Sequence, residues 1–267
     1  MATQQKKVAF HTMGCKLNFS ETSTIKRDFI SRGFKTVSFN EYANIYVLNS
    51  CSVTENADRE ARKIIRQAKR LNPSSSIIVT GCYAQLKPEE LAAVKEVDMI
   101  FGAKEKFNLL DHLDSIELNH KTKLFHSEIN SVSHFEPSFS SNDRTRSYLK
   151  VQDGCDYNCT FCTIPLARGA SRSSTVLKTL MSAKQAISSG AREIVLTGVN
   201  IGDFGANSHE KFIDLLVSLS DLNDLDRIRI SSIEPNLLSN DIICLLYTSD
   251  AADERSSVDL GGLRIIK

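Results

Sequence analysis

Three cysteines stand within eight residues, in the run Gly154-Cys155-Asp156-Tyr157-Asn158-Cys159-Thr160-Phe161-Cys162. Separations of four and three on one short loop let three thiolates converge on three corners of a cubane iron–sulfur cluster, leaving the fourth iron without a protein ligand. An iron open in that way is a place to bind and activate a small molecule. Structural zinc is a rival reading, but it wants four ligands, usually as two close pairs, and here the local set stops at three with no histidine beside it. A third reading treats the thiols as small buried hydrophobes that hold nothing.

Three further cysteines, Cys15, Cys51 and Cys82, are far apart in the chain, yet each follows a short apolar run, at residues 7–12, 44–50 and 77–80. A fourth such run is 99–101, and the stretches 20–31, 56–71 and 88–97 between the runs carry apolar residues at helical spacing. Strand and helix signals in alternation predict an open parallel sheet with helices on its faces. The carboxyl ends of parallel strands share one edge, where ligands bind, so the three distant thiols are expected to meet there.

The elements that must position the other trio resume after residues 116–146, which grow rich in Ser and Asn without periodicity and read as a linker. Strand-like 147–152 leads directly into the cysteine loop. A helical stretch at 176–189 closed by Gly190, a strand at 193–197, a helix at 211–219 and a strand at 227–230 follow. This is the opening of a (β/α) barrel, whose chemistry sits on the loops after its strands. The expected organisation is therefore α/β throughout: an amino-terminal open parallel-sheet domain over 4–115, then the first part of a partial barrel over 147–245.

Composition agrees with this and narrows the surroundings. A chain of 267 residues with 41% hydrophobic and 24% charged side chains has material for two ordinary cores. No run approaches the length of a membrane span and no signal-peptide core opens the chain, so a cytoplasmic protein without a membrane partner is expected. In a reducing compartment, seven cysteines, an odd number, suggest metal or redox chemistry over disulfides. The net charge of +1 gives no overall attraction to a polyanion, so an RNA would have to meet a local patch. Arg59, Lys63, Arg66 and Arg70, with Arg62 and Lys69 beside them, form one basic helix face that suits phosphates, or simply water. The six histidines lack partners at ligand spacing.

The cysteine loop, with an aromatic before its last cysteine, resembles that of the radical S-adenosylmethionine superfamily. Gly14-Cys15-Lys16-Leu17-Asn18, Asn49-Ser50-Cys51-Ser52-Val53-Thr54, Gly81-Cys82-Tyr83-Ala84-Gln85 and the run from Phe161 to Gly169 resemble motifs of one of its families, the methylthiotransferases. That resemblance spans nearly all of residues 6–243. It implies two [4Fe–4S] clusters: one on Cys155, Cys159 and Cys162, whose open iron chelates S-adenosylmethionine and cleaves it to a 5′-deoxyadenosyl radical, and an auxiliary one on Cys15, Cys51 and Cys82 that carries the sulfur to be inserted. It further implies that Phe161 packs beside the cofactor and that the turn of Thr197, Gly198 and Asn200 holds the cofactor's amino group. Ser232 and Glu234 end the third strand at the same rim, where Glu234 suits a ribose or amino group, and Arg168 and Arg172, just past the cysteine loop, are placed to orient substrate or cofactor and, with the basic helix face, to meet tRNA. The electron donor would be of flavodoxin or ferredoxin type. Cys-Lys-Leu-Asn followed by Glu21-Thr22 is most similar to the branch acting on N6-threonylcarbamoyladenosine at tRNA position 37. The alternative is the isopentenyladenosine branch. Readings of another class are a two-cluster electron carrier and a zinc-stabilised RNA-binding module.

The resemblance stops near Leu245. Residues 246–267 are polar and aperiodic, with the look of a foreign segment joined to a truncated reading frame, and Cys244 at this junction takes no ligand role. The rest of the barrel and a carboxyl-terminal RNA-binding domain are expected to be missing. Weak stability and activity, an open sheet edge, and a tail dispensable for folding are expected with them.

Overall fold

The computed structural model describes residues 5–115, 122–141, 146–248 and 263–266. Two units emerge, Met1–Val132 with Cys159–Gly169, and Ser133–Asn158 with Ala170–Lys267.

The first unit is built on β1 (Lys7–Thr12), α1 (Lys16–Ser31), β2 (Lys35–Val37), β3 (Ile45–Ser50), α2 (Glu55–Leu71), β4 (Ser76–Gly81), α3 (Cys82–Leu86), α4 (Pro88–Ala92), β5 (Met99–Phe101) and β6 (Lys123–Phe125). Its strands form one sheet in the order β2-β1-β3-β4-β5-β6, with all pairings parallel. Side chains alternate between two cores, as the period of two requires. Val8, Ile45, Val47, Ile78, Met99 and Phe101 join Ile25 and Phe29 of α1. Ala9, Tyr46, Leu48, Ile77, Val79 and Ile100 meet Ala61, Ile64, Ile65 and Ala68 of α2. Burial on both faces explains why these strands read as continuous apolar runs.

Helix α2 shows how local chemistry sets an element. The Thr54 hydroxyl accepts from the Ala57 amide at 3.2 Å, Glu55 and Asp58 occupy the positive first turn, and Lys69 and Arg70 the negative last turn. The expected linker holds more structure than its composition suggests. Strand β6 completes the parallel sheet at its edge, pairing with β5 through Met99↔Lys123 and Phe101↔Phe125.

The second unit contains β7 (Ser138–Phe139), β8 (Arg146–Lys150) and β9 (Gln152–Asp153). After α5 (Ile164–Arg168), which belongs to the first unit, come β10 (Arg172–Ser173), α6 (Val176–Ser188), β11 (Glu193–Thr197), α7 (Phe212–Ser220), β12 (Arg227–Ile230), α8 (Asn240–Thr248) and β13 (Leu263–Ile266). The sheet order is β13-β12-β11-β8-β7. The three central strands are parallel, as the barrel reading requires, and both edge strands are antiparallel. One core gathers Leu149, Val151, Ile194, Leu196, Ile228 and Ile230 of the sheet with Ala183, Ala186, Leu215, Leu216 and Leu219 of the helices.

Two features correct the reading of the tail. Leu245 and Leu246 pack against this core, and β13 pairs with β12 from Arg227↔Ile266 to Ile230↔Leu263. The edge expected to be open is therefore covered, which a parallel strand edge needs in order to avoid pairing with other chains. Truncation after Thr248 is expected to cost about 2 kcal/mol, from a few ladder bonds at ~0.5–1.5 kcal/mol each. The readouts are a lower Tm in thermal denaturation and a higher aggregate fraction by light scattering. An unchanged transition would restore the view that the tail is dispensable.

Candidate functional site

Cys15 immediately precedes α1, Cys51 follows β3, and Cys82 opens α3 straight after β4. All three lie at the carboxyl edge of the parallel sheet, because β1, β3 and β4 run side by side in one direction. Glycines permit the close approach. Gly14 has φ +88°, and a Cβ there would fall 2.8 Å from Cys51 Cβ and 2.9 Å from its Sγ. Gly81 has φ +94°, and a Cβ there would stand 2.3 Å from the Ser50 carbonyl oxygen. Both positions need the backbone freedom and the missing side chain that only glycine offers.

The ground beneath the trio is polar and buried. The Asn18 side-chain amide donates to Met13 O at 2.8 Å and to Ser50 O at 3.1 Å, so one side chain holds the loops of Cys15 and Cys51 together. Its oxygen accepts from Arg168 Nη2 at 2.6 Å. Glu21, with no exposed surface, accepts through Oε1 from Lys106 Nζ at 2.6 Å and from Arg168 Nη1 at 3.2 Å. Burial pushes the Cys82 thiol up, while the charges of Arg168 and Lys106 pull it down, and Cys15 and Cys51 act on it as neighbours.

Arg168 was expected to face RNA and does not. It is only 4% exposed, because two buried acceptors compete successfully for its guanidinium. Arg172 is likewise engaged, donating to Asp153 Oδ2 at 3.1 Å and to His134 O at 3.0 Å. On α2, by contrast, Arg59, Lys63, Arg66 and Arg70 are all exposed. Their neighbours Arg62 and Lys69 are turned to Glu90 and Asp98.

In the three-cysteine segment, the Cys162 amide donates to the Cys159 carbonyl at 3.1 Å, a tight turn. Cys155 belongs to the second unit, and Cys159 and Cys162 to the first. Phe161 is 91% exposed. Among the described residues, no three His, Cys, Asp or Glu side chains close to the distances of a single bound ion. A cubane cluster spreads its ligands over separate iron corners, so the thiols it uses stand farther apart than the ligands of one ion.

In the second unit, the loop after β11 is organised by Gln152, a residue that no motif singled out. Its Oε1 accepts from the Val199 and Asn200 amides at 2.8 and 2.9 Å, and its Nε2 donates to Gly154 O at 2.7 Å. Gly198 fits because a Cβ there would lie 2.8 Å from Gln152 Oε1. Thr197 is buried, its hydroxyl donating to Val195 O at 3.0 Å, and Asn200 is buried, its oxygen accepting from the Glu234 amide at 3.2 Å. Ser232, at φ +57°, and Glu234 are exposed at the same rim. Burial, followed by the charges of Asp156 and Glu234, raises the Asp203 carboxyl above its usual range.

The architecture has a solved counterpart in fold. The fold matches a solved radical S-adenosylmethionine methyltransferase, TsrM from Kitasatospora setae with cobalamin and a [4Fe-4S] cluster bound, at a TM-score of 0.58 and 13% identity. The match covers 91% of this chain and 59% of that one. Residues 7–102 match the model of the family described as Uncharacterized protein family UPF0004. The chain is 36% identical over 266 residues to the threonylcarbamoyladenosine tRNA methylthiotransferase MtaB of Aquifex aeolicus (strain VF5), covering 98% of this chain and 65% of that protein. It is 39% identical over 249 residues to the protein of that name from Bacillus subtilis (strain 168), covering 91% and 55%. It belongs to the methylthiotransferase family that these proteins represent, and it spans between about half and two thirds of their length. Among the described residues, no helix is long and apolar enough to cross a membrane.

Proposed function

We propose that the chain carries the catalytic half of a radical S-adenosylmethionine tRNA methylthiotransferase, acting on N6-threonylcarbamoyladenosine at position 37. The observation that supports it most is the meeting of Cys15, Cys51 and Cys82 at one sheet edge, in a chain that also holds the Cys155, Cys159, Cys162 loop. The residues fit two iron–sulfur groups. Each trio offers three thiols, and Gly14 leaves the side of Cys51 clear, where a Cβ would otherwise press. Burial pushes the Cys82 thiol up, and the charges of Arg168 and Lys106 oppose that, which favours a thiolate-bound group there.

When bound, the groups supply an electron for cleaving the sulfonium cofactor and a sulfur for transfer. What the chain does is hold, orient and shield. Cys155, Cys159 and Cys162 would hold the first cluster, with Phe161 covering the cofactor. Glu234, exposed at the rim, would receive its polar end, with the loop of Thr197, Gly198 and Asn200 held in place beside it. The exposed α2 stripe is suited to stem phosphates, and one small one-electron carrier of flavodoxin or ferredoxin type would serve as donor.

The test is anaerobic reconstitution, a single incubation with S-adenosylmethionine, reductant and tRNA bearing N6-threonylcarbamoyladenosine, then nucleoside mass spectrometry. The 2-methylthio derivative is expected, in less than one equivalent. Product only from isopentenyladenosine tRNA would move the chain to the other branch. No product from either tRNA with both clusters loaded would overturn the reading.

A further inference from the structure

Behind the amino-terminal thiols runs a chain of side-chain contacts that neither the cluster ligands nor the family match accounts for. Arg168 lies 147 residues from Glu21 and 150 from Asn18, and meets both. Its two nitrogens divide the work: Nη1 faces the carboxylate that Lys106 also holds, and Nη2 takes the amide oxygen of Asn18. The other end of that amide grips Met13 O and Ser50 O, the carbonyls leading into Gly14-Cys15 and Cys51. Asn49 adds a bond from its amide to Asn18 O at 3.0 Å. Helix α5, which ends at Arg168, packs against α3, which begins at Cys82. Gly169, at φ +77°, turns the chain away immediately after the guanidinium is seated, its Cβ position 3.2 Å from Ile129 O.

The Met13 and Ser50 carbonyls accept only from the amide nitrogen, so they set which way round the Asn18 amide lies and leave the tilt of its plane to the oxygen's partner. Fixing the oxygen with a charged donor settles it, since charge-assisted bonds are about twice as strong as neutral ones. Removing the fork would take the charged donor from the Asn18 oxygen, so the anchor that both cysteine loops share through its nitrogen would be held less firmly.

We propose that Arg168 is a positioning residue for the auxiliary site: through Asn18 it sets the spacing of the Cys15 and Cys51 loops, and through its buried charge it favours the reduced state of the group these thiols hold. The proposal rests on the reading of Cys15, Cys51 and Cys82 as cluster ligands. It also ties the segment that follows the other three cysteines to this site within one unit.

The experiment uses the full chain with Cys155, Cys159 and Cys162 replaced by alanine, so that only the auxiliary cluster is observed. Arg168→Met and Arg168→Lys are added separately, and each protein is reconstituted anaerobically. Arg168→Met is expected to lose iron to a chelator at least tenfold faster. It should also show at least a tenfold lower ratio of reduced to oxidised cluster at a fixed potential, about 59 mV for one electron. Arg168→Lys keeps the charge but not the fork, so it should keep the potential and still lose iron faster. A folded Arg168→Met protein with unchanged potential and extraction rate would overturn the proposal. So would Arg168→Lys extraction at the parental rate. A parent protein that binds no iron would sink the reading of the thiol trio, and this inference with it.

Discussion

Changing Cys155, Cys159 and Cys162 together to alanine is expected to halve the iron and sulfide content and abolish all reductive cleavage of S-adenosylmethionine. Reconstituted protein should fall from about eight irons to about four, the content of one cubane cluster. Production of 5′-deoxyadenosine under dithionite should drop to background. The effect is large because no other side chain can substitute: the loop offers three thiols and no histidine. The fold should survive, because Cys159 is exposed, Cys155 and Cys162 are half-buried, and none of the three belongs to a hydrophobic core cluster. Continued formation of 5′-deoxyadenosine by the triple variant would refute the assignment. A colourless parent protein containing zinc would favour the RNA-binding module instead, and two reducible clusters without cofactor binding would favour the electron carrier.

Much of this arrangement could be read from the chain because the signals were local. The runs preceding Cys51 and Cys82 are apolar on both faces, and β3 and β4 sit between helices on either side. Thr54 with Glu55 and Asp58 marks the start of α2 within a few residues. Other features were illegible for the same physical reason in reverse. Strands β2, β6 and β7 are only two or three residues long and owe their existence to a neighbour's edge. Strand β13 likewise exists as a pairing with β12, and nothing in Leu-Arg-Ile-Ile announces that partner. Gln152 reads as an ordinary polar residue after a strand until the loop at Val199 and Asn200 folds onto it. Arg168 was the instructive error. Its closeness to the cysteine loop suggested an exposed ligand-facing cation, whereas Glu21 and Asn18, supplied from far upstream, draw it inside.

Changing Cys15, Cys51 and Cys82 to alanine is expected to give the complementary result, with cofactor cleavage kept within about threefold (below the ~1.4 kcal/mol that a tenfold change represents) and no 2-methylthio product at all. The loop after β11 belongs to the second unit, which has its own sheet and its own core from Leu149 to Ile242, and Cys159 and Cys162, though in the first unit, belong to none of its hydrophobic core clusters, so loss of the other thiols there should not displace them. Of the three, only Cys82 is buried. Its truncation removes one sulfur from a packed environment, at a cost of about 1 kcal/mol, the scale of deleting a single buried group. That is small against the ~5–15 kcal/mol that holds a domain of this size together. Glu21 retains both Lys106 and Arg168 as partners, so the buried charges beneath the site stay compensated. The measurements are iron content, expected again at about four per chain, 5′-deoxyadenosine formation, and mass spectrometry of digested tRNA. Methylthiolated nucleoside from this variant would sink the sulfur-carrying role of the trio. Loss of cofactor cleavage in a protein that still melts cooperatively would show that the two sets of thiols do not act as separable sites.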